Sequence, residues 1–225
     1  MAQAGIHALV GAAVRRVSPS QEWLMLGILL GSIFPDLDNY LVAAATLAGL
    51  KTAGLHRTFT HSILAILAAI LLFFIISLVR RQPRWTTLGL GIGAGIGLHI
   101  LLDLLIWFNG VELLWPFGGW LNLWAGVTPP AWLSKLLDPA EFLFFALFFA
   151  WLANAARKNQ TDQDFSGKLR LWMVAMLVLL VVFTPLAYLM SKGFMTIFGV
   201  FYLVSITAAF VITLRMRKTV EAFGR

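Results

Sequence analysis

Residues 87–108 read TLGLGIGAGIGLHILLDLLIWF, a run without Lys, Arg or Glu that is broken only by His99 and Asp103. At 1.5 Å per residue a helix of this length covers about 33 Å, enough to cross the hydrocarbon of a bilayer. The stretch predicts a transmembrane helix. It also sets a problem, because an ionisable side chain at membrane depth is costly unless it is paired, wetted or put to use. Histidine and aspartate four residues apart share one helical face. Imidazole beside carboxylate suits a divalent metal. A hydrogen-bonded helical pair or a proton relay fits the same spacing.

The rest of the chain agrees with a membrane setting. Of its 225 residues 60% are hydrophobic and 12% charged, with a mean hydropathy of +0.86. Such a composition belongs to polytopic membrane proteins. Stretches 169–190 and 194–214 are also long enough to span, and 61–79 and 139–156 are shorter candidates. At the N-terminal end 4–14, 21–34 and 42–50 are apolar but short. They read as half-helices that pack on longer ones or line a wet cavity. The first of them does not read as a secretory signal, since basic residues follow it instead of leading it. The predicted fold class is all-α, a multi-pass transmembrane helix bundle forming a single integral membrane domain over 1–225. Within it 1–108 is the metal-site half, 109–138 a Trp-rich interfacial segment of the outer leaflet, and 139–225 supplies three further transmembrane helices. Cysteine is absent, which removes disulfides, thiolate ligands and a Cys nucleophile.

Local signals mark boundaries. Ser18-Pro19 followed by Gln21 reads as a helix start, and so does Asp138-Pro139-Ala140-Glu141. The net charge of +7 does not predict nucleic-acid binding, because the basic residues sit at segment ends and form no patch. Thirteen of the 17 Lys and Arg fall on one predicted face, from Arg15 and Arg16 through Arg80, Arg81 and Arg84 to Arg215 and Arg217. The positive-inside rule makes that face cytoplasmic, together with the C-terminus. Asp36, Asp38, His56 and His61 then lie toward the extracytoplasmic half. Trp107, Trp115, Trp120, Trp124 and Trp132 crowd one segment. Its plain reading is an aromatic belt, and its sharper one a roof that guides a lipid-like substrate.

All four histidines fall near acids. Asp36 and Asp38 lie in Pro35-Asp36-Leu37-Asp38, where Pro35 ends a helix and an extended alternation can point both carboxylates one way. His56 and His61 bracket Arg57, with Thr58 or Thr60 as the expected cap of the following helix. Arg57 suits an anionic substrate or developing charge, or else an interfacial, snorkelling role. His7 sits near mid-depth on the first half-helix. Seven candidate ligands follow: His7, Asp36, Asp38, His56, His61, His99 and Asp103. They exceed one tetrahedral site and make room for two or more ions, zinc first and manganese second. Asp36, Asp38 and Arg57 are the candidate catalytic groups.

These residues resemble the signature of the bacterial inner-membrane metal-dependent hydrolases of the YdjM-like family. The matching pieces are His7 with Gly11, Gly31 through Asp38, His56-Arg57 through Ser62, His99 through Asp103, and Trp115-Pro116. The matches cover the first half of the chain. The pattern is distantly similar to zinc-dependent phospholipase C and its single-strand nuclease relatives, which also use a His-x-x-x-Asp helix pair. The resemblance implies a metal-dependent hydrolase, with a membrane lipid or lipid-linked phosphoester as the expected substrate and metal-activated water as the expected attacking group. Two rival readings use the same cluster: a divalent metal or proton transporter, and a non-catalytic membrane scaffold with a structural metal.

Overall fold

The computed structural model describes residues 4–222. The described chain is all-α, with helices α1 (Ala4–Ala13), α2 (Leu24–Ile33), α3 (Asn39–Leu47), α4 (Ile63–Arg80), α5 (Arg84–Ile106), α6 (Ala131–Asn159), α7 (Ser166–Leu189), α8 (Phe194–Arg215) and α9 (Arg217–Glu221). Six described stretches are long and apolar enough to cross a membrane: Leu24–Leu47, Ile63–Arg80, Arg84–Ile106, Ala131–Asn159, Gln163–Leu189 and Phe194–Arg215. The first of these is an addition to the sequence reading. Phe34–Asp38 is a 3₁₀ turn and not an extended stretch, so α2 and α3 join into one long helical run.

The chain forms two compact units. One comprises Val14–Thr128 and the other α1 with the described residues from Pro129 onward.

In the Val14–Thr128 unit the central element is α5, whose glycines recur at 89, 91, 93, 95 and 97. Two residues advance an α-helix by about 200°, so alternating glycines make two smooth rows on opposite sides. Gly91 and Gly95 face α2. A Cβ on Gly91 would strike Leu24 O and the Gly27 Cα, and one on Gly95 would strike Ile28 O. Gly27 and Gly31 return the contact, since their Cβ atoms would strike Leu88 O and Ile92 O. The α2 and α5 backbones therefore touch through paired small-xxx-small rows, the usual device for joining helices in lipid. Gly89 and Gly93 face α4 and accommodate Phe73 and Ile70. Helix α4 is apolar all round but buries only Ser77 among its residues, as a lipid-facing helix does.

In the other unit most of the buried residues of α6 follow one stripe: Asp138, Glu141, Phe142, Phe145, Phe148, Phe149, Leu152, Ala155 and Ala156. That three-and-four spacing packs against α7 and α8. Phe142 meets Phe183 and Phe198 with ring centroids 5.4 Å away in both cases.

Two expected helix starts are corrected. Asp138-Pro139 lies inside α6, which begins at Ala131. Pro139 is the ninth residue of α6, where an N–H would have served Lys135 O, so the helix forgoes that intrahelical hydrogen bond. Helix α2 begins at Leu24, after Trp23 in a left-handed conformation at φ 64°, and not at Ser18-Pro19. Glu141, which reads as a start-of-helix residue, caps a different helix: Gly5 N of α1 donates to its Oε1 at 2.6 Å.

The glycine contact predicts a contrast. Gly31→Ala and Gly95→Ala should each lower stability by about 1–3 kcal/mol through forced helix separation. Gly199→Ala has open space and should be neutral or mildly stabilising. Thermal unfolding of the three variants in detergent checks this, and equal shifts would contradict it.

Candidate metal centre

The α5 row that begins with Gly91 and Gly95 continues, at the same four-residue step, to His99 and Asp103. The α2 row of Gly27 and Gly31 continues into Pro35 and Asp36. Backbone contact along the helices thus delivers three polar residues, His99, Asp103 and Asp36, to one place. In a 3₁₀ turn the N–H of residue 35 would serve Ser32 O, but proline has none. His99 Nδ1 occupies that acceptor at 2.8 Å. A carbonyl can only accept, so Nδ1 carries the proton and His99 Nε2 presents a lone pair.

His61 arrives from the segment before α4. Phe59–His61 makes a 3₁₀ turn, and Ser62 then caps α4, its Oγ accepting from Ala65 N at 3.2 Å. Ser62 thus takes the place of Thr58 or Thr60 as the cap, which leaves Thr60 for another task. Thr60 Oγ1 donates to Asp38 Oδ2 at 2.8 Å and lies 2.9 Å from His61 Nδ1. With its own proton committed to the carboxylate, the hydroxyl accepts from Nδ1–H. His61 Nε2 is then also a lone-pair nitrogen.

The two Nε2 atoms face each other at 3.1 Å. Asp36 Oδ1 lies 3.9 Å from His61 Nε2 and 3.7 Å from His99 Nε2. Asp103 Oδ2 lies 3.5 Å and 3.7 Å from the same two atoms. Ligands about 2.0–2.1 Å from a tetrahedral ion stand roughly 3.3–3.5 Å apart, so the spacing fits one divalent cation. All four side chains are buried. Asp36, His61 and His99 form one group whose ligand atoms could hold a metal.

Asp38 lies on the far side of His61. Its Oδ1 takes the His56 Nδ1 contact at 2.7 Å. Its Oδ2 is 3.4 Å from His61 Nδ1 and receives Arg57 N at 3.3 Å. A carboxylate behind a histidine fixes the tautomer and ring orientation of a ligand. Asp38, His56 and His61 also form a group able to hold an ion. Arg57 is left-handed at φ 63° and buried. Its Nη2 lies 3.5 Å from Asp103 Oδ1 and its Nη1 donates to Gly110 O at 3.4 Å. A non-glycine residue held in this conformation stores local strain, which tends to be kept where a site needs it.

The structure brings six of the seven predicted ligands into the Val14–Thr128 unit. His7 is buried on α1 in the other unit, where α1 packs against α6 and α8. Ser32 and Gly110 were not read as supporters of the site. Ser32 and Gly110 act through backbone carbonyls, which carry no side-chain signal. The segment after α5 folds over the 57–63 stretch: Ile63 N donates to Leu113 O at 3.0 Å and Glu112 N to Arg57 O at 2.9 Å. Phe117, Leu114, Trp120 and Leu123 of this segment are exposed, as expected of a piece lying in a membrane interface.

The helical spans and the buried His/Asp cluster define a multi-pass membrane protein with groups able to bind a metal. The chain belongs to the YdjM inner membrane protein family, whose family model matches residues 1–190. No curated protein and no solved structure matches it.

Removing Arg57 takes the guanidinium away from the buried Asp103 carboxylate. Arg57→Ala should cost about 3–5 kcal/mol, as breaking a buried pair does. Arg84→Ala, which loses an exposed partner at 3.4 Å in Glu22, should cost under about 1 kcal/mol. Comparable losses in denaturant titrations of the two variants would contradict this assignment.

Proposed function

We propose that this inner-membrane protein is a divalent-metal-dependent hydrolase that cleaves a phosphoester in a lipid or lipid-linked substrate. The observation that carries the reading is the pair of Nε2 atoms at 3.1 Å, both assigned as lone pairs. Two such nitrogens repel unless a cation lies between them, and the candidates are a proton and a metal ion.

Charge decides between them. With neutral imidazoles the cluster buries Asp36, Asp38 and Asp103 against Arg57, a balance of two negative charges. A shared proton would leave one of them uncompensated, whereas a divalent ion brings the cluster to neutrality. Uncompensated buried charge is strongly unfavourable, more so at membrane depth. A ligand set of His and Asp without sulfur favours zinc, with manganese as the second choice.

Asp36, His61, His99 and Asp103 would hold the ion. Bound there, a divalent cation supplies Lewis-acid polarisation of a phosphoryl oxygen and lowers the pKa of water. Thr60 and Asp38 fix His61 from behind. Arg57 holds Asp103 Oδ1, so that Oδ2 faces the two histidines. The exposed aromatic segment beside the site and the membrane setting support a lipid substrate. The basic ends of the spans support a cytoplasmic C-terminus and an extracytoplasmic site. With Leu24–Leu47 included, the six candidate spans return the chain to its starting side.

Elemental analysis of detergent-purified protein should find about one equivalent or more of zinc or manganese, as a closed N/O site retains. His99→Ala should lose most of it, together with hydrolysis of detergent-dispersed phospholipid. No bound metal after reloading would contradict the reading and favour a proton pathway. Metal uptake into liposomes without hydrolysis would favour the transporter.

A further inference from the structure

The turn between α4 and α5 lies at the other end of α4 from His61, about 27 Å away along an 18-residue helix. It carries Arg80, Arg81 and Arg84. No Asp or Glu occurs between Asp38 and Asp103, so the hairpin has no acid of its own to balance them. Arg84 is committed. Its guanidinium carbon sits 4.4 Å from the centroid of the Trp23 ring, its Nη1 lies 3.4 Å from Glu22 Oε1, and its Nη2 donates to Gln82 Oε1 at 2.9 Å. Arg80 and Arg81 are exposed and have no ion pair or side-chain hydrogen bond among the described residues. The turn that presents them is firmly tied. Arg81 is left-handed at φ 52°, and its N–H and that of Gln82 both donate to Ser77 O. Ser77 Oγ donates back to Gln82 O at 3.0 Å. The carbonyl end of α4 offers these two cations about half a negative charge, which leaves most of theirs unbalanced.

The neighbour of this pair is set by α4 itself. The helix buries only Ser77, and Leu71, Ile75, Leu78 and Val79 of its last turns are exposed. In a bilayer these side chains lie against acyl chains. A lipid that runs along them has its headgroup at the polar end of α4, beside Arg80 and Arg81. Trp23 and Trp85 meet edge to face at the same end, with ring centroids 4.9 Å apart, and indole rings settle at headgroup depth. We propose that the α4–α5 turn binds an anionic phospholipid, with the phosphate held by Arg80 and Arg81 and the acyl chains lying on α4. The proposal is independent of what the metal centre binds or cleaves. Guanidinium groups fit phosphate oxygens in pairs. A zwitterionic lipid fits the same apolar surface but brings no net charge to balance the two arginines. An anionic one does, and basic clusters next to a span draw such lipids.

The test titrates the delipidated full-length protein, in a neutral detergent, with phosphatidylglycerol and separately with phosphatidylcholine of the same acyl chains. Bound lipid is read by native mass spectrometry. Wild type should bind phosphatidylglycerol the more tightly. Arg80→Gln with Arg81→Gln should weaken phosphatidylglycerol binding by about 30-fold, roughly fivefold for each arginine. Its phosphatidylcholine binding should stay at the wild-type level, which reports an intact α4 surface. Lys168→Gln with Arg170→Gln removes the same charge from α7 and should leave the preference in place. Glycerol phosphate at the lipid's concentration should not displace the lipid, because it has no chains to lie on α4. Equal affinity of wild type for the two lipids would overturn the proposal. So would unchanged phosphatidylglycerol binding in the Arg80/Arg81 variant, an equal loss of both lipids there, or the same loss in the α7 control. Full displacement by glycerol phosphate would rule out a lipid as the occupant.

Discussion

Everything at the metal centre depends on how closely the α2 and α5 backbones approach. The two helices touch through Gly27, Gly31, Gly91 and Gly95. In lipid there is no hydrophobic force to press helices together, so close van der Waals fit must do it. The same four-residue step that spaces these glycines places His99 and Asp103 next on α5, and Pro35-Asp36 next on α2. Side chains anywhere along these rows would separate the helices. The short reach of imidazole and carboxylate would then no longer meet. The glycine rows are thus part of the site, although no glycine is near enough in kind to act as a ligand.

A second constraint is the bookkeeping of hydrogen atoms. Pro35 leaves Ser32 O without its 3₁₀ partner, and His99 fills the place. Thr60 gives its proton to Asp38 and takes one from His61. The two imidazoles present their Nε2 atoms to each other at 3.1 Å. This order is set by acceptor-only and donor-only groups that cannot exchange roles. In the proposed reading, this order readies the cluster for a cation. Arg57 adds a link outward, because its guanidinium and its carbonyl engage Gly110 and Glu112 of the aromatic segment.

Much of this was legible in the sequence. The long spans follow from length and apolarity, and the intramembrane His99 and Asp103 announce themselves by their cost. The helical run through Leu24–Leu47 was read as fragments, because Pro35, Asp36 and Asp38 look like a break. A 3₁₀ turn can carry proline and both carboxylates while the chain keeps its direction, which periodicity does not reveal. The start of α6 was misplaced for a related reason, since Asp138-Pro139 inside the helix resembles a cap followed by a first-position proline. Asp36 and Asp38 read alike, yet one faces the two Nε2 atoms and the other the Nδ1 side of His61. That difference arises from the turn and from Thr60. The glycine alternation in α5 was visible throughout, but its meaning depends on which helices flank it.

The central claim is that His61 and His99 share one cation through their Nε2 atoms. X-ray absorption at the zinc edge of the zinc-loaded protein reads this directly. The account predicts a first shell of about four nitrogen and oxygen neighbours near 2.0 Å, with the outer-shell scattering of two imidazoles. A shell of oxygen neighbours alone, or one imidazole only, would contradict it.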